Sequence, residues 1–480
     1  MAQPWEDLRA LVVAAEPGSV SLQDERLHTL AEQGDALDRA RRAVDEFWEL
    51  LATDPRTALA ESLLAHAVAE QRAAGLRPAL ALRHATALLV LGCPERAVEV
   101  LEAELARHPR GGPGPDRTRL LALLGKVLLP LGELQRALVV LEEALALTRA
   151  QDAGAAEGGV LSALGNARLL AGDLESAGDY YGQALRLAER HGSDEGIAVG
   201  LGNRGLVRHL AGDEEGAAAD YEAALQRARA AGDRRCALPV LANLGLLAYE
   251  QGDLEEATRR LDAALELGGA LGDRSARATC LVRLAAVARE RDASREVARL
   301  LDAAEVSLES QGQGPPGASR VSWWLERARL ALREGDLPVA RELCRRARAR
   351  AAELQNVGGV AAATLEAGRV ALREGLLEPG LKLLDEALAQ ARELAQPLLH
   401  GWAQVERARA LLQLGRVPEA EASLLDARRR LPRGSIAAAR LELVRARALP
   451  PEDAAPLRAA LRAQAAARGW GALAHELAGE

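Results

Sequence analysis

The side chains that could perform acid–base, nucleophilic or metal chemistry are scattered along this 480-residue chain. No phosphate loop, nucleophile elbow, HExxH motif or pair of catalytic carboxylates stands in a supporting context. The eight His residues include no two at metal spacing on one helix face. The sequence therefore predicts no enzyme, no metal site and no cofactor. The cysteines are too widely spaced for a zinc site, and we expect reduced core thiols at Cys93, Cys236, Cys280 and Cys344.

Charged pairs recur in the last third of the chain, where Glu and Arg stand three residues apart. Such pairs share one face of a helix and stabilise it by about 0.2–0.5 kcal/mol each. Two interpretations stay open, a self-satisfied ion-pair network and a second charged surface that binds an acidic partner through bidentate Arg contacts. The pairs are Glu326 with Arg329, Glu366 with Arg369, and Glu406 with Arg409.

A repeat with a period of about 40 residues positions these side chains. Each copy has an apolar helix pattern, a glycine and a second helix pattern, which predicts a helix, a tight turn and another helix. Glycine tolerates the left-handed conformation at a helix end, and an aspartate one residue later can cap the next helix. The turn positions are Gly92, Gly132, Gly172, Gly212, Gly252, Asp292, Gly335, Gly375 and Gly415. The capping residues are Asp173, Asp213, Asp253 and Asp336.

Small residues recur as regularly as the turns, which indicates a close contact between the two helices of each unit. Gly125, Ala137, Leu141 and Ala144 form one such set, and the set beginning at Gly165 repeats it. This pattern resembles the tetratricopeptide repeat. The longer period is similar to that of kinesin light chain, Pins-type adaptors and bacterial regulators of this superfamily.

Composition agrees with that resemblance, because the chain is 49% hydrophobic but only 2% aromatic, so Ala and Leu must build a helical core. We expect an all-α, right-handed α-solenoid of ten to eleven repeats and about 22 to 24 helices. The predicted segments are a helical cap (1–34), divergent repeats (35–110), well-matched repeats (116–311), C-terminal repeats (318–433) and capping helices (434–480).

The resemblance implies a concave groove lined by the first helix of each repeat. We expect this groove to bind a partner protein or peptide, with Asn amides contacting its backbone; the alternative is an Asn bonded to a neighbouring helix. Trp402 is a candidate anchor beside the charged pairs, while Trp324 is expected in the core and Trp323 at the surface. The groove residues are Lys126, Asn166, Asn203, His209, Asn243, Tyr249 and Arg283.

The predicted function is a non-catalytic scaffold or adaptor in the cytoplasm, of bacterial type. A regulatory sensor for a signalling peptide or small ligand is the alternative. The net charge of −8 and the absence of a long apolar stretch disfavour nucleic-acid binding and membrane insertion. Arg-rich stretches at 341–350 and 427–430 leave RNA binding by convex helices as a third class, against a solvated basic face.

Overall fold

The computed structural model describes residues 4–20, 22, 27, 34–108, 115–151, 154–309 and 317–479. In these residues the chain forms 25 α-helices and no strand, which confirms the all-α prediction and slightly exceeds the expected number of helices. The predicted cap at 1–34 lies partly outside the described residues. None of the described helices combines the length and the apolar character needed to cross a membrane.

The first ten α-helices end at His191, and two 3₁₀ turns, Ala74–Leu76 and Leu129–Leu131, lie among them. In chain order they are α1 (Pro4–Ala14), α2 (Ala36–Asp45), α3 (Phe47–Thr53), α4 (Pro55–Arg72), α5 (Arg77–Val90), α6 (Pro94–Leu105), α7 (Pro115–Leu128), α8 (Leu134–Ala150), α9 (Gly154–Leu170) and α10 (Leu174–His191).

The remaining helices are similar in length, as the repeat requires, and end with shorter ones near the C-terminus. They are α11 (Asp194–Leu210), α12 (Glu214–Ala230), α13 (Arg234–Glu250), α14 (Leu254–Ala270), α15 (Arg274–Glu290), α16 (Ser294–Glu309), α17 (Ala318–Glu334), α18 (Leu337–Glu353), α19 (Val357–Arg373), α20 (Leu377–Glu393), α21 (Pro397–Gln413), α22 (Val417–Arg428), α23 (Ile436–Ala446), α24 (Pro451–Arg468) and α25 (Gly471–Ala478).

The helices form two compact units. The first contains the described residues up to Ala167, Ala270–Asp273 and Glu309; the second contains Arg168–Gly269, Arg274–Leu308 and the described residues after 316. Within each unit many consecutive helices contact each other, as in a stack of helical hairpins. In the second unit the first helices of successive repeats also contact each other. We call the surface that they form the first-helix face; it comprises α11, α13, α15, α17, α19, α21 and α23.

The turns between the two helices of each repeat are left-handed at the predicted position. Gly212 has φ +85°, and Asp292, which replaces glycine in one copy, keeps the same handedness at φ +65°. The next residue then caps the second helix: the Asp213 carboxylate accepts a hydrogen bond from the Gly216 amide at 3.0 Å. This geometry makes the turn compact and sets the start of the second helix.

The recurring glycine of the first helix faces a bulky, fully buried side chain of the second helix. A Cβ at Gly205 would lie 2.8 Å from the Tyr221 ring, and one at Gly245 would lie 2.7 Å from Leu261. Gly125 faces Leu141 in the same way. The predicted close contact is confirmed, because a larger residue would require the facing side chain or its helix to shift.

We predict opposite effects for two glycine substitutions in the second unit. Gly205→Ala should destabilise the protein by about 1–3 kcal/mol, because the new methyl group overlaps the Tyr221 ring. Gly178→Ala on α10 should stabilise it by up to about 1 kcal/mol, since its Cβ would lie 3.5 Å from Val207 and alanine favours the helix. Urea unfolding of both variants measures the difference. Equal effects would contradict the close-contact explanation.

Candidate functional site

The first-helix face of the second unit, together with α25, contains a continuous circuit of ion pairs, which we call the charged ring. It alternates five carboxylates with five guanidiniums, so its net charge is zero. The carboxylates are Glu290, Glu326, Glu366, Glu406 and Glu476, and the guanidiniums are Arg289, Arg329, Arg369, Arg409 and Arg440.

The Glu/Arg pairs of successive repeats are joined to each other along the ring. Arg329 contacts Glu326 on its own helix and reaches Glu366 on the next first helix at 2.7 Å. Arg369 repeats this arrangement, with Glu366 at 2.9 Å and Glu406 at 3.1 Å. Each carboxylate in this run therefore has two cationic partners. The geometry is that of the self-satisfied network, the first of the two interpretations.

Two helices from the end of the chain close the ring. Arg440 on α23 lies 2.9 Å from Glu290 and 3.1 Å from Glu476 on α25, although 150 residues separate Arg440 from Glu290. Residue Trp470, immediately before α25, is buried, and its indole N–H donates to the Gly252 carbonyl at 2.9 Å. A side chain at Gly252 would collide with this indole. The last helix is thus held against an early turn of the same unit.

The charges of the ring are fixed by its own partners. Burial would raise the pKa of Glu366, which is 2% exposed, but Arg329 and Arg369 outweigh burial and lower that pKa to about 2. Glu290 behaves alike, since Arg440 and Arg289 lower its pKa to about 2 against the effect of burial. Both groups therefore stay ionised well below neutral pH.

Two aromatic candidates of the sequence analysis belong to the ring. The Tyr249 hydroxyl donates to Glu290 at 3.3 Å and accepts from Arg289 at 3.0 Å, and burial raises the pKa of Tyr249 to about 12. The half-buried Trp402 lies between two guanidiniums, 5.3 Å from Arg369 and 5.8 Å from Arg440. The Tyr249 hydroxyl and the Trp402 ring therefore both contact side chains of this protein's own charged ring.

The part of the first-helix face formed by α11, α13 and α15 is less completely paired. Arg283 donates to the Ala242 carbonyl at 2.6 Å and to the Asn243 side-chain oxygen at 3.3 Å, as in the second alternative for the Asn residues. His209 is buried, 2.5 Å from Glu250. The half-buried Asn203 amide has no hydrogen-bond partner in the described residues. On this part of the face, Asn203 is therefore a groove candidate with hydrogen-bonding capacity left for a ligand.

The other two groove candidates lie in the first unit. Lys126 on α7 and Asn166 on α9 are both exposed. The structure thus places them in a different compact unit from the remaining groove residues. Their role in partner binding stays a prediction.

The Arg-rich second helices carry their own counter-charges. Arg345 and Arg346 both contact Glu342, at 2.7 and 2.8 Å, and Arg348 contacts Glu386 at 2.5 Å. Just after α22, Arg430 lies 3.2 Å from Asp426. These ion pairs agree with the interpretation of a solvated basic face, and RNA binding by these helices stays a prediction.

A third cluster was not predicted from the sequence. His66 and Glu70 on α4 meet Glu104 on α6, and the three possible ligand atoms lie within 4.8 Å of one another. The sequence criterion was a pair of His residues on one helix, whereas this group combines a His–Glu pair with a carboxylate from a second helix. The spacing of four residues between His66 and Glu70 was the available signal.

We predict that the ring stabilises the second unit. Glu366→Gln should lower the free energy of unfolding by about 3–5 kcal/mol, because Arg329 and Arg369 would lose a buried anionic partner. Glu342→Gln is the control, since Glu342 is an exposed partner of Arg345 and should change stability little. Urea unfolding followed by circular dichroism measures both. Similar small losses would show that the ring is not structural.

Stability should also depend on acid in a defined range. The unfolded chain takes up protons on Glu290 and Glu366 below about pH 4.5, whereas the folded chain resists until about pH 2. The free energy of unfolding should therefore fall as the pH decreases from about 4.5 to 2. Unfolding by urea at several pH values tests this, and Glu366→Gln should reduce the slope. An unchanged slope in that variant would contradict the lowered pKa.

Comparison with known proteins agrees with the fold. Residues 119–327 match the family described as the MalT-like TPR region. A Rap protein in complex with competence and sporulation factor has a similar structure, with a TM-score of 0.51 and 14% identity over 79% of this chain and 99% of that one. No curated protein matches the chain.

Two further structures have lower scores. A STAND protein with a tetratricopeptide-repeat sensor from Pyrococcus horikoshii has a TM-score of 0.44 and 12% identity, covering 89% of this chain and 62% of its own. Yeast Tom70 has a TM-score of 0.37 and 15% identity, covering 92% and 99%. The sequence repeat, the stacked helical hairpins and the match of residues 119–327 agree in showing that this part of the chain is similar to the tetratricopeptide-repeat family.

Proposed function

We propose that this protein is a non-catalytic interaction module that binds a peptide segment of a partner. The proposed site is the first-helix face of α11, α13 and α15. The observation that carries the proposal is the half-buried Asn203 amide, which has no hydrogen-bond partner among the described residues. An amide can donate to and accept from the main chain of an extended peptide at once, so this side chain suits such a ligand.

The surroundings of Asn203 fit a peptide better than a charged ligand. Leu206 and Leu246 are half-buried on the same helices and offer apolar contact to its side chains. Asn243 is held by Arg283, which fixes its orientation before a ligand arrives. A preformed surface lowers the ordering cost of binding a flexible segment. The Rap protein of similar fold was solved with competence and sporulation factor bound, which supports ligand binding by this architecture.

The charged ring is assigned a structural role in this proposal. Its carboxylates and guanidiniums already contact one another, so a charged partner would have to replace existing ion pairs. The peptide is therefore expected on the α11–α15 portion of the face, with Glu326, Arg329, Glu366, Arg369, Glu406 and Arg409 supporting the fold.

A regulatory sensor is the second candidate, favoured by contacts between distant repeats. A Cβ at Gly212 would lie 2.8 Å from Pro397, which begins α21, so the turn after α11 touches a helix from a much later repeat. A ligand on α11 would lie close to this contact. Binding could then shift the packing of α21 and alter a partner attached there.

Selection of peptides tests the proposed site. A displayed random-peptide library is selected on the full chain, and the affinity of the selected peptides is measured by fluorescence anisotropy. Asn203→Ala should weaken binding by about 10-fold or more, because one or two hydrogen bonds to the peptide are lost. Helicity should remain unchanged.

Gln226→Ala is the matched control, since it removes another amide, an exposed one on the second helix α12. Its peptide affinity should equal that of the wild type. Equal affinity of the Asn203→Ala variant, or failure to select any peptide, would overturn the proposed site. The sensor makes a further prediction for the Pro397→Ala variant. If a bound peptide raises the unfolding temperature of this variant less than it raises that of the wild type, the result would favour the sensor.

A further inference from the structure

A cluster of potential metal ligands lies in the first unit, away from the first-helix face of the second unit. His66 and Glu70 are one helical turn apart on α4, and Glu104 comes from α6. One oxygen of Glu104 lies 3.2 Å from Nε2 of His108, just after the end of α6. The fold thus brings the His66 imidazole and the carboxylates of Glu70 and Glu104 together between α4 and α6, with the His108 imidazole beside Glu104.

The His66 imidazole is buried without a hydrogen bond. Only 2% of it is exposed, and neither ring nitrogen has a hydrogen-bond partner in the described residues. It lines a cavity of about 310 Å³ together with Glu70 and Glu104. Buried polar atoms are normally paired, so an unpaired imidazole facing a cavity indicates a ligand that supplies the missing bond.

The distances suit one tetrahedral cation. Nε2 of His66 lies 3.7 Å from Oε1 of Glu70, too far for a hydrogen bond. Two ligands of tetrahedral Zn²⁺ with bonds of about 2.0–2.1 Å stand about 3.3–3.4 Å apart. The His66–Glu70 distance of 3.7 Å is close to that value, and the three ligand atoms lie within 4.8 Å of one another. Small side-chain movements would bring the ligand atoms to bonding distance.

Arg107 is the competitor for the same carboxylates. Its guanidinium contacts Glu70 and lies 3.1 Å from Glu104. The side chain is 42% exposed, so it can turn into solvent without losing core packing. A second cation, Arg77, is 3.9 Å from Glu104. The cluster therefore attracts positive charge, and a divalent cation would neutralise both carboxylates at once.

We propose that His66, Glu70 and Glu104 bind one Zn²⁺ ion that cross-links α4 and α6. Water or another ligand would complete the four-coordinate set, as at zinc sites with three protein ligands. Imidazole nitrogen selects zinc over Mg²⁺ and Ca²⁺, which prefer oxygen ligands.

Calorimetric titration of the chelator-treated full chain with ZnCl₂ tests the proposal. The wild type should bind one equivalent at this site and unfold at a higher temperature with zinc than without it. Glu70→Gln or Glu104→Gln should weaken binding by more than the roughly 10- to 100-fold that loss of an outer-shell partner costs. Glu99→Gln, an exposed position on the same helix α6, should bind like the wild type. Titration with MgCl₂ should give no comparable heat.

His66→Ala removes the nitrogen ligand, and its helicity in chelator separates loss of metal from loss of folding. Arg107→Ala separates a metal site from an ion-pair cluster. If zinc binds here, that variant should bind it at least as tightly as the wild type, because the competing cation is gone. If the cluster is only an ion-pair network, Arg107→Ala will lose stability and take up no zinc. Unchanged zinc affinity in Glu104→Gln and His66→Ala would also overturn the proposal.

Discussion

The close approach of two helices at a glycine is the constraint on which the rest of the structure depends. Gly205 faces Tyr221 and Gly245 faces Leu261, so the second helix of each of these repeats lies directly against the first. A left-handed turn joins the two helices at the same position of each repeat, as at Gly212 and Gly252. Because a small residue, Gly or Ala, stands at this contact in successive repeats, equivalent positions of those repeats stand side by side on successive helices. Both the charged ring and the equivalent positions of Asn203 on α11 and Asn243 on α13 follow from that alignment.

Periodicity made most of this fold predictable. The turns, the caps and the glycine contacts depend on neighbours within one repeat, so their residues carry a local signal, as Asp213 and Gly216 do. The pairs at Glu326 and Glu366 were also visible, but their pairing with the next repeat's arginine was only one of two interpretations. Contacts between distant segments left no such signal. The residues near Glu290 in the sequence do not predict its ion pair with Arg440. The cluster at His66 likewise depends on Glu104, which comes from another helix.

The two tryptophans after residue 317 show the same limit at a smaller scale. Trp323 was expected at the surface and Trp324 in the core, by alignment with the repeat. In the structure Trp323 is the more deeply buried ring: it is 6% exposed and donates its indole N–H to the Leu301 carbonyl at 2.8 Å, while Trp324 is half-buried. A buried indole needs a polar partner, and which of two adjacent rings finds one depends on the preceding helix α16. Repeat alignment contains no information about that partner.

The closure of the ring by α25 has a consequence for the order in which the protein matures. Synthesis proceeds from the N-terminus, and repeats can begin to stack as they leave the ribosome. Glu290 and Arg289 are made long before Arg440 and Glu476, so the carboxylate of Glu290 lacks its second guanidinium until α23 has emerged. Trp470 likewise can form its hydrogen bond to the Gly252 carbonyl only after α24 has been synthesised. Translation of the last helix is therefore the event that completes the charge balance of repeats made much earlier.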